Sequence, residues 1–152
     1  HPVTGLCAEY AHFDGTPYVG GEEIWGGRHD WYYSDAYRTI ANIALDYSWF
    51  AADGWQLEEV QKFLKFMCET LEEKDRDGVF EIDGTVLEQK ALHPVAIIAT
   101  NAQAGLISQD AHAYSCIRKF WETPLRTGDR RYYDNCLYIF ALLALSGNYR
   151  AY

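Results

Sequence analysis

The sequence predicts an all-α domain with two layers of helices and one short β-hairpin. Five segments have helical character, and segments that are apolar almost all round alternate with segments that are apolar on one face. One Asp-Gly pair, at positions 83 and 84, separates two short apolar runs, as is typical of a hairpin. The hydrophobic fraction of 49% is ample for a packed core.

The first thirty residues have no sustained period and predict a long loop. Gly, Pro and Asp recur there, and turns are expected at Asp14-Gly15 and Gly20-Gly21. A first helix is then expected to start at Ser34 or Asp35, either of which could cap it, and to end at about Ala51. This segment is apolar almost all round, which predicts burial on most sides.

The remaining elements follow in order along the chain. A second, one-sided helix is predicted at about 55–73, followed by the hairpin over 79–88 with a two-residue turn. A buried third helix, at about 94–107, opens on a proline. The fourth helix, at about 109–123, is one-sided, and the fifth, at about 131–146, is apolar almost all round and ends before a glycine.

This alternation of buried and surface helices is what concentric inner and outer helix layers would give. Three inner and two outer helices cannot close a ring, and their apolar surface exceeds what five helices can cover by themselves. The sequence therefore predicts about half of a larger assembly. The missing half would come from the same polypeptide or from a second chain.

Composition excludes several classes of partner. The net charge of -9 argues against nucleic acid and membrane surfaces, because both need a positive field. No stretch approaches the roughly 20 apolar residues of a membrane span. The four cysteines form no Cys-x-x-Cys pair and are expected to be free thiols, which favours a cytoplasmic over a secreted location. The five histidines are scattered, so neither a metal nor another cofactor is predicted.

The segment 31–38 combines aromatic residues with a carboxylate and an arginine. Asp35 stands at the expected helix start, and Arg38 follows one turn later. A helix cap with an ion-pair partner explains this pattern structurally. A general base would also fit it, because a helix N-terminus and Arg38 both favour an ionised carboxylate and aromatic rings stack on sugars. Spacing alone leaves both interpretations open.

Many short blocks, all in the same order, resemble glycoside hydrolase family 8, the (α/α)6-barrel xylanases, endoglucanases and chitosanases. They span essentially all of the chain and comprise Thr4-Gly5-Leu6, Glu9-Tyr10-Ala11, 13–17, 34–38, 42–50, Asn101-Ala102, 131–134, Leu137-Tyr138 and 146–150. Many matches in order are far more specific than any single one. The resemblance implies that residues 1–152 are the C-terminal half of a single (α/α)6-barrel catalytic domain, with 1–33 as its active-site loop region.

The resemblance also implies roles for individual residues. Asp35 matches the general base that activates the attacking water, and Arg38 matches the arginine that orients this carboxylate and holds it charged. Tyr132 and Tyr133 match tyrosines that line the subsites near the cleavage point, although ordinary helix packing would also explain either one. Further candidates for sugar-binding aromatic residues, each equally compatible with plain packing, are Trp25, Trp31 and Tyr33.

The tripeptide Leu92-His93-Pro94 distinguishes branches within the family. In the branch that releases xylose from the reducing end of xylo-oligosaccharides, a Leu-His-Pro loop at this place blocks the far end of the cleft. The resemblance to this branch implies inverting hydrolysis of β-1,4-xylo-oligosaccharides, with His93 touching the reducing-end sugar. An endo-acting β-1,4-xylanase or glucanase is the alternative, since endo-acting xylanases tend to have His-Ser-Pro nearby.

One catalytic group is missing from the pattern. Inverting hydrolysis needs two carboxyl groups about 6.5–9.5 Å apart, and the family's general acid is the Glu of a Ser-Glu-Gly motif that does not occur here. The nearest candidates, Glu9, Glu22 and Glu23, are not assigned this role. The chain is therefore expected to be half of an enzyme, one of two chains that assemble a barrel, or a non-catalytic carbohydrate-binding half-barrel.

Overall fold

Five α-helices and a three-stranded antiparallel sheet are described by the structure, a computed structural model that covers residues 1–20 and 28–151. In chain order the elements are β1 (Trp31–Tyr32), α1 (Arg38–Phe50), α2 (Trp55–Lys65), β2 (Val79–Glu81), β3 (Val86–Leu87), α3 (Pro94–Ala104), α4 (Ala111–Glu122) and α5 (Arg131–Leu145). A π-helical turn, Phe66–Thr70, continues α2, and a short 3-10 turn, Gly105–Ile107, continues α3. All five predicted helices and the predicted hairpin are thus confirmed.

Helix α1 begins later than the sequence predicts. Ser34 adopts a positive φ of 48°, and tight turns follow in which the amides of Ala36 and Arg38 donate to the carbonyls of Tyr33 and Asp35. The residue before the helix is Tyr37, whose side chain makes no capping hydrogen bond. The prediction that Ser34 or Asp35 caps α1 is therefore wrong, and the Asp35 carboxylate remains available for other partners.

The sheet contains one strand more than predicted. In the hairpin, the amide of Glu81 donates to the carbonyl of Thr85, so the loop has three residues, with Gly84 at a φ of +102°. The predicted two-residue turn is wrong. Strand β1 pairs with the other edge of β2 and places Tyr32 opposite Phe80. This strand falls within the predicted loop, because two residues are too few to produce a periodic signal.

Helix α3 lies at the centre of the helical layers, in contact with α1, α4 and α5. Residues 96–104 are all buried, as predicted for this helix. Helices α1 and α5 leave part of their surface exposed, as expected if five helices cannot cover their apolar surface by themselves. Asn42 and Asp46 are exposed on α1, and Ile139 and Phe140 are 50% and 47% exposed on α5. Helix α3 differs because it packs between the other two inner helices, α1 and α5, whereas each of these packs against α3 on one side.

The largest core cluster forms where the sheet meets α2. The ring of Tyr32 packs against Phe63 and Phe80, with ring centroids 6.2 and 6.1 Å away. Gly5 brings the N-terminal segment onto the same helix with a φ of +67°, and a Cβ there would lie 2.9 Å from the Glu59 carbonyl oxygen. Only glycine allows this approach, so the loop that leads to the candidate site is anchored on α2.

The remaining local features are turns, cysteines and membrane spans. The Asp14-Gly15 turn is present, with the Gly15 amide donating to the His12 carbonyl, whereas the Gly20-Gly21 turn extends outside the described residues. All four cysteines are free. Within residues 1–20 and 28–151, no helix combines the length and apolar character needed to cross a membrane.

Candidate active site

The Asp35 carboxylate lies just before α1 and is held by two donors. One oxygen is 2.6 Å from the Arg38 guanidinium, and the other accepts a hydrogen bond of 2.6 Å from the Tyr133 hydroxyl. The Asp35 side chain is 42% exposed, so the carboxylate is fixed in place yet accessible. Both donors stabilise its negative charge. The arrangement can therefore accept a proton from a bound water molecule.

Tyr133 reaches Asp35 from the first turn of α5. Burial, and then its hydrogen bond to Asp35, raises the pKa of the Tyr133 phenol above its ordinary value. The phenol consequently keeps its proton at neutral pH and remains a donor. Tyr37, which is 1% exposed, is close by, and burial followed by the proximity of Tyr133 raises its pKa as well. Tyr37 was not identified from the sequence, because an aromatic residue before a helix carries no specific signal.

His93 packs against Tyr133, with ring centroids 4.4 Å apart and planes inclined by 44°. It immediately precedes α3, and its side chain is 16% exposed. Through Tyr133, the structure brings together four of the predicted site residues, which are Asp35, Arg38, His93 and Tyr133. They come from the N-terminal ends of α1, α3 and α5, so this part of the site is built where three inner helices begin.

A buried carboxylate supports the cluster. Asp134 is 0% exposed, and its Oδ2 lies 3.1 Å from His93 Nδ1 and accepts a hydrogen bond of 2.6 Å from Arg126, while Oδ1 accepts one of 2.8 Å from the Ala96 amide. Burial works against ionisation, but these hydrogen bonds outweigh it and lower the pKa of the Asp134 carboxyl. This role of Asp134 was not identified from the sequence, although a carboxylate within an apolar helix is an available signal.

The other predicted aromatic residues have different surroundings. Tyr132 is 83% exposed and lines a shallow surface depression on α5. Tyr33 is 2% exposed, which leaves its ring little surface for a sugar. Trp31 packs edge-on against Tyr33 at 6.4 Å, and the Arg28 guanidinium lies 5.7 Å from the centre of its ring. Trp25 lies outside the described residues.

Glu9 is engaged in a structural contact. Its carboxylate is 2% exposed and lies 2.9 Å from Nδ1 of His29. A carboxyl group buried in this way is unsuited to donating a proton to a substrate. Glu22 and Glu23 lie outside the described residues. Among the residues that the structure describes, no three His, Cys, Asp or Glu side chains converge in a way that could hold a metal ion.

Comparison with known proteins identifies close relatives. The chain is 49% identical, over its whole length, to Rex8A of Paenibacillus barcinonensis, a reducing-end xylose-releasing exo-oligoxylanase, and covers 39% of that protein. The chain is related to the reducing-end xylose-releasing exo-oligoxylanases. A second protein of this name, from Bifidobacterium adolescentis, is 43% identical over 97% of the chain and 38% of its own length. No family model matches the chain.

The solved structures agree with this relationship. The chain superposes on Rex8A complexed with xylose with a TM-score of 0.88 and 48% identity, covering all of the chain and 39% of Rex8A. A crystal structure of a reducing end xylose-releasing exo-oligoxylanase gives a TM-score of 0.88 at 52% identity, with 38% of that chain covered. The resemblance to glycoside hydrolase family 8 and its exo-acting branch, and the fold as part of an (α/α)6 barrel, are confirmed.

Replacing Asp134 tests the assigned ionisation. We expect Asp134→Asn to lower the free energy of unfolding by about 2–3 kcal/mol at pH 7, because the amide is a poorer acceptor for Arg126 and His93. The folded-state pKa is lowered, so the stabilisation is present above the unfolded value of about 3.9 and is lost as pH falls through the folded value. Urea unfolding should show a gap between wild type and variant that narrows from pH 7 to pH 3.

Asp83→Asn is the matched control. Asp83 also has a lowered pKa, caused by hydrogen bonds from Thr85, but it lies in an exposed turn. Its replacement should change unfolding little at either pH, because water solvates the charge. An equal gap for Asp134→Asn at pH 7 and pH 3 would contradict a buried, ionised carboxylate.

Proposed function

We propose that the chain forms the base-bearing part of an inverting glycoside hydrolase that releases xylose from the reducing end of β-1,4-xylo-oligosaccharides. The observation that carries this proposal is the accessible Asp35 carboxylate, which Arg38 and Tyr133 each hold at 2.6 Å. The substrate class is supported by the relatives, which are named reducing-end xylose-releasing exo-oligoxylanases.

Asp35 would act as the general base. A water molecule bound to its carboxylate would transfer a proton to Asp35 while the water oxygen attacks the anomeric carbon on the face opposite the leaving group. Arg38 would keep the carboxylate charged and oriented. Tyr133 would donate to the Asp35 oxygen that Arg38 does not contact, and would thereby restrict the positions at which the water can bind.

The general acid would come from the rest of the barrel. The chain spans 39% of the length of Rex8A, and the described candidate, Glu9, is buried against His29. Helix α5 also presents an apolar face with exposures of 37–50%, formed by Ile139, Phe140 and Leu143. We propose that the remaining helices, whether in the same polypeptide or in a second chain, cover this face.

His93 would limit the reducing-end side of the cleft. The carbonyl of Leu92 accepts a hydrogen bond of 2.6 Å from Arg126, and Asp134 lies 3.1 Å from the His93 ring. A wall fixed in this way favours binding of one sugar beyond the bond that is cut. Exo action is therefore preferred to the endo-acting alternative.

The cytoplasm is the compartment that we propose. All four cysteines are free, and the sulfurs of Cys68 and Cys116 are 3.6 Å apart. Two thiols at this separation are best preserved in a reducing environment.

Replacing the proposed base should remove activity. In the assembled enzyme, Asp35→Asn should lower kcat for xylotriose by about 10²- to 10⁴-fold, because an amide cannot accept the proton of the attacking water. The matched control is Asp53→Asn, an exposed aspartate beyond the end of α1, which should keep the wild-type rate. A wild-type rate for Asp35→Asn would remove Asp35 from the mechanism.

The stereochemistry and position of cleavage test the reaction itself. Proton NMR of the first products from xylotetraose should show the inverted anomer and xylose from the reducing end. A retained anomer would exclude inversion, and cleavage in the middle of the chain would support the endo-acting alternative. Binding of xylotetraose without turnover in the assembled protein would instead support a non-catalytic carbohydrate-binding protein.

A charge on the exposed face of α5 tests the proposed barrel assembly. Phe140→Asp should lower the free energy of unfolding of the assembled protein by about 2 kcal/mol or more, because the carboxylate would lose water where other helices pack. Tyr114→Asp, on the exposed side of α4, is the control and should change stability by about 0.5 kcal/mol or less. Equal effects in urea unfolding would contradict coverage of the α5 face.

A further inference from the structure

We propose that Asp134 is a positioning residue for His93, and that it commits His93 Nε2 to accept a hydrogen bond from a hydroxyl of the reducing-end sugar. The identity of this ligand rests on the proposed function. The positioning itself rests on contacts within the chain, which hold whether or not the protein hydrolyses xylo-oligosaccharides.

The hydrogen-bonding capacity of Asp134 determines the histidine tautomer. Both of its oxygens are acceptors in the structure, because Oδ1 receives the Ala96 amide and Oδ2 receives the Arg126 guanidinium. The contact of 3.1 Å between Oδ2 and His93 Nδ1 therefore requires the proton to be on Nδ1. In a neutral imidazole the other ring nitrogen is then an acceptor. A sugar hydroxyl can donate to Nε2, whereas a carbonyl or ether oxygen cannot.

The backbone beside His93 is held by the same group of residues. Arg126 Nη1 donates to both the Leu92 carbonyl and Asp134 Oδ2, each at 2.6 Å. The Asn135 side chain in turn binds the Arg126 backbone, accepting from its amide at 2.9 Å and donating to its carbonyl at 3.0 Å. Two successive residues of α5 thus fix both the ring and the preceding carbonyl of this segment.

The start of α3 makes the support rigid. His93 occupies the position before the helix, but its side chain makes no capping hydrogen bond. Asp134 supplies that acceptor from another helix, since it binds the amide of Ala96 in the first turn. Tyr133, its neighbour on α5, covers the His93 ring at 4.4 Å and donates to Asp35. The base and the histidine are consequently held at a separation that α5 sets.

Nitrogen NMR of the full-length protein with 15N-labelled histidine tests the tautomer directly. The His93 signals are identified by their loss in His93→Gln. At the alkaline limit of the titration, Nδ1 should carry the proton and Nε2 should not. The opposite tautomer would overturn the proposal. This result does not depend on catalytic activity, so a protein that fails to hydrolyse xylo-oligosaccharides would refute the proposed function while leaving this test intact.

A double-mutant cycle tests the connection to the substrate. With folding verified by circular dichroism, Asp134→Asn should raise KM for xylotriose about tenfold, with a smaller change in kcat, because a substrate contact present before the transition state is weakened. In a His93→Ala background the same substitution should have no further effect on KM. Losses that add in the double variant would show that Asp134 acts independently of His93 and would overturn the proposal.

Two further variants guard against a purely structural effect. Arg126→Gln removes the hydrogen bond to the Leu92 carbonyl but leaves Asp134 in place. It should raise KM while the His93 tautomer stays unchanged. This variant keeps the test possible if Asp134→Asn folds poorly. The control is Glu69→Gln, which alters another histidine–carboxylate pair. Glu69 in the π-helical turn lies 3.0 Å from Nε2 of His112 on α4, and its replacement should leave KM unchanged. A normal KM in Arg126→Gln would contradict the proposed support, as would an equal rise in Glu69→Gln.

Discussion

The buried Asp134 carboxylate is the interaction on which the arrangement of the site depends. Transfer of an ionised carboxylate out of water costs several kcal/mol unless donors compensate for the lost solvation. Three donors do so here, from the His93 ring, the Ala96 amide and the Arg126 guanidinium. Two of them lie at the start of α3 and the third in the segment between α4 and α5, and displacement of any one leaves the charge less well compensated. A single anion therefore holds a helix start, a loop and a histidine in a fixed relation.

Asp35 and Asp134 show how environment separates two chemically identical groups. Asp134 is enclosed, and its oxygens are occupied by donors of the chain, which suits a support and excludes contact with solvent. Asp35 has two donors and a side chain that is 42% exposed, which leaves room for water. Tyr133 and Asp134 are adjacent in sequence, so the first turn of α5 both donates to the Asp35 carboxylate and carries the Asp134 carboxylate. The distinction follows from exposure and from the number of donors.

The helices could be predicted because their signals are local. Apolar periodicity located all five, and Pro94 marked the start of α3 correctly. The predicted cap of α1 was wrong because several residues there can cap a helix. The turn that forms instead depends on the positive φ of Ser34. The apolar character of α5 was recognised, but composition shows that a face is apolar and not which neighbour covers it. The strand β1 required a pairing with β2 that no local pattern contains.

Part of the site could also be predicted, but from resemblance to a family and not from local periodicity. Asp35, Arg38, Tyr133 and His93 were found because they lie in blocks that resemble a known family, and the structure brings them together. The hydrogen bond from Tyr133 to Asp35 spans 98 positions, and the contact of His93 with Asp134 spans 41. Contacts at such separations are set by helix packing, which one sequence does not reveal.

The adjacency of Tyr133 and Asp134 has a consequence for how such a protein can be altered. Successive helix residues point about 100° apart, so a one-residue insertion just after them would rotate both side chains relative to the packed body of α5 and turn both away from their partners. The contact of Tyr133 with Asp35 and that of Asp134 with His93 therefore cannot be adjusted independently through this helix. Changes at Leu92 or along the loop that carries Arg126 leave Tyr133 in register. The position of His93 is thus more readily altered through the connecting segments than through the helix.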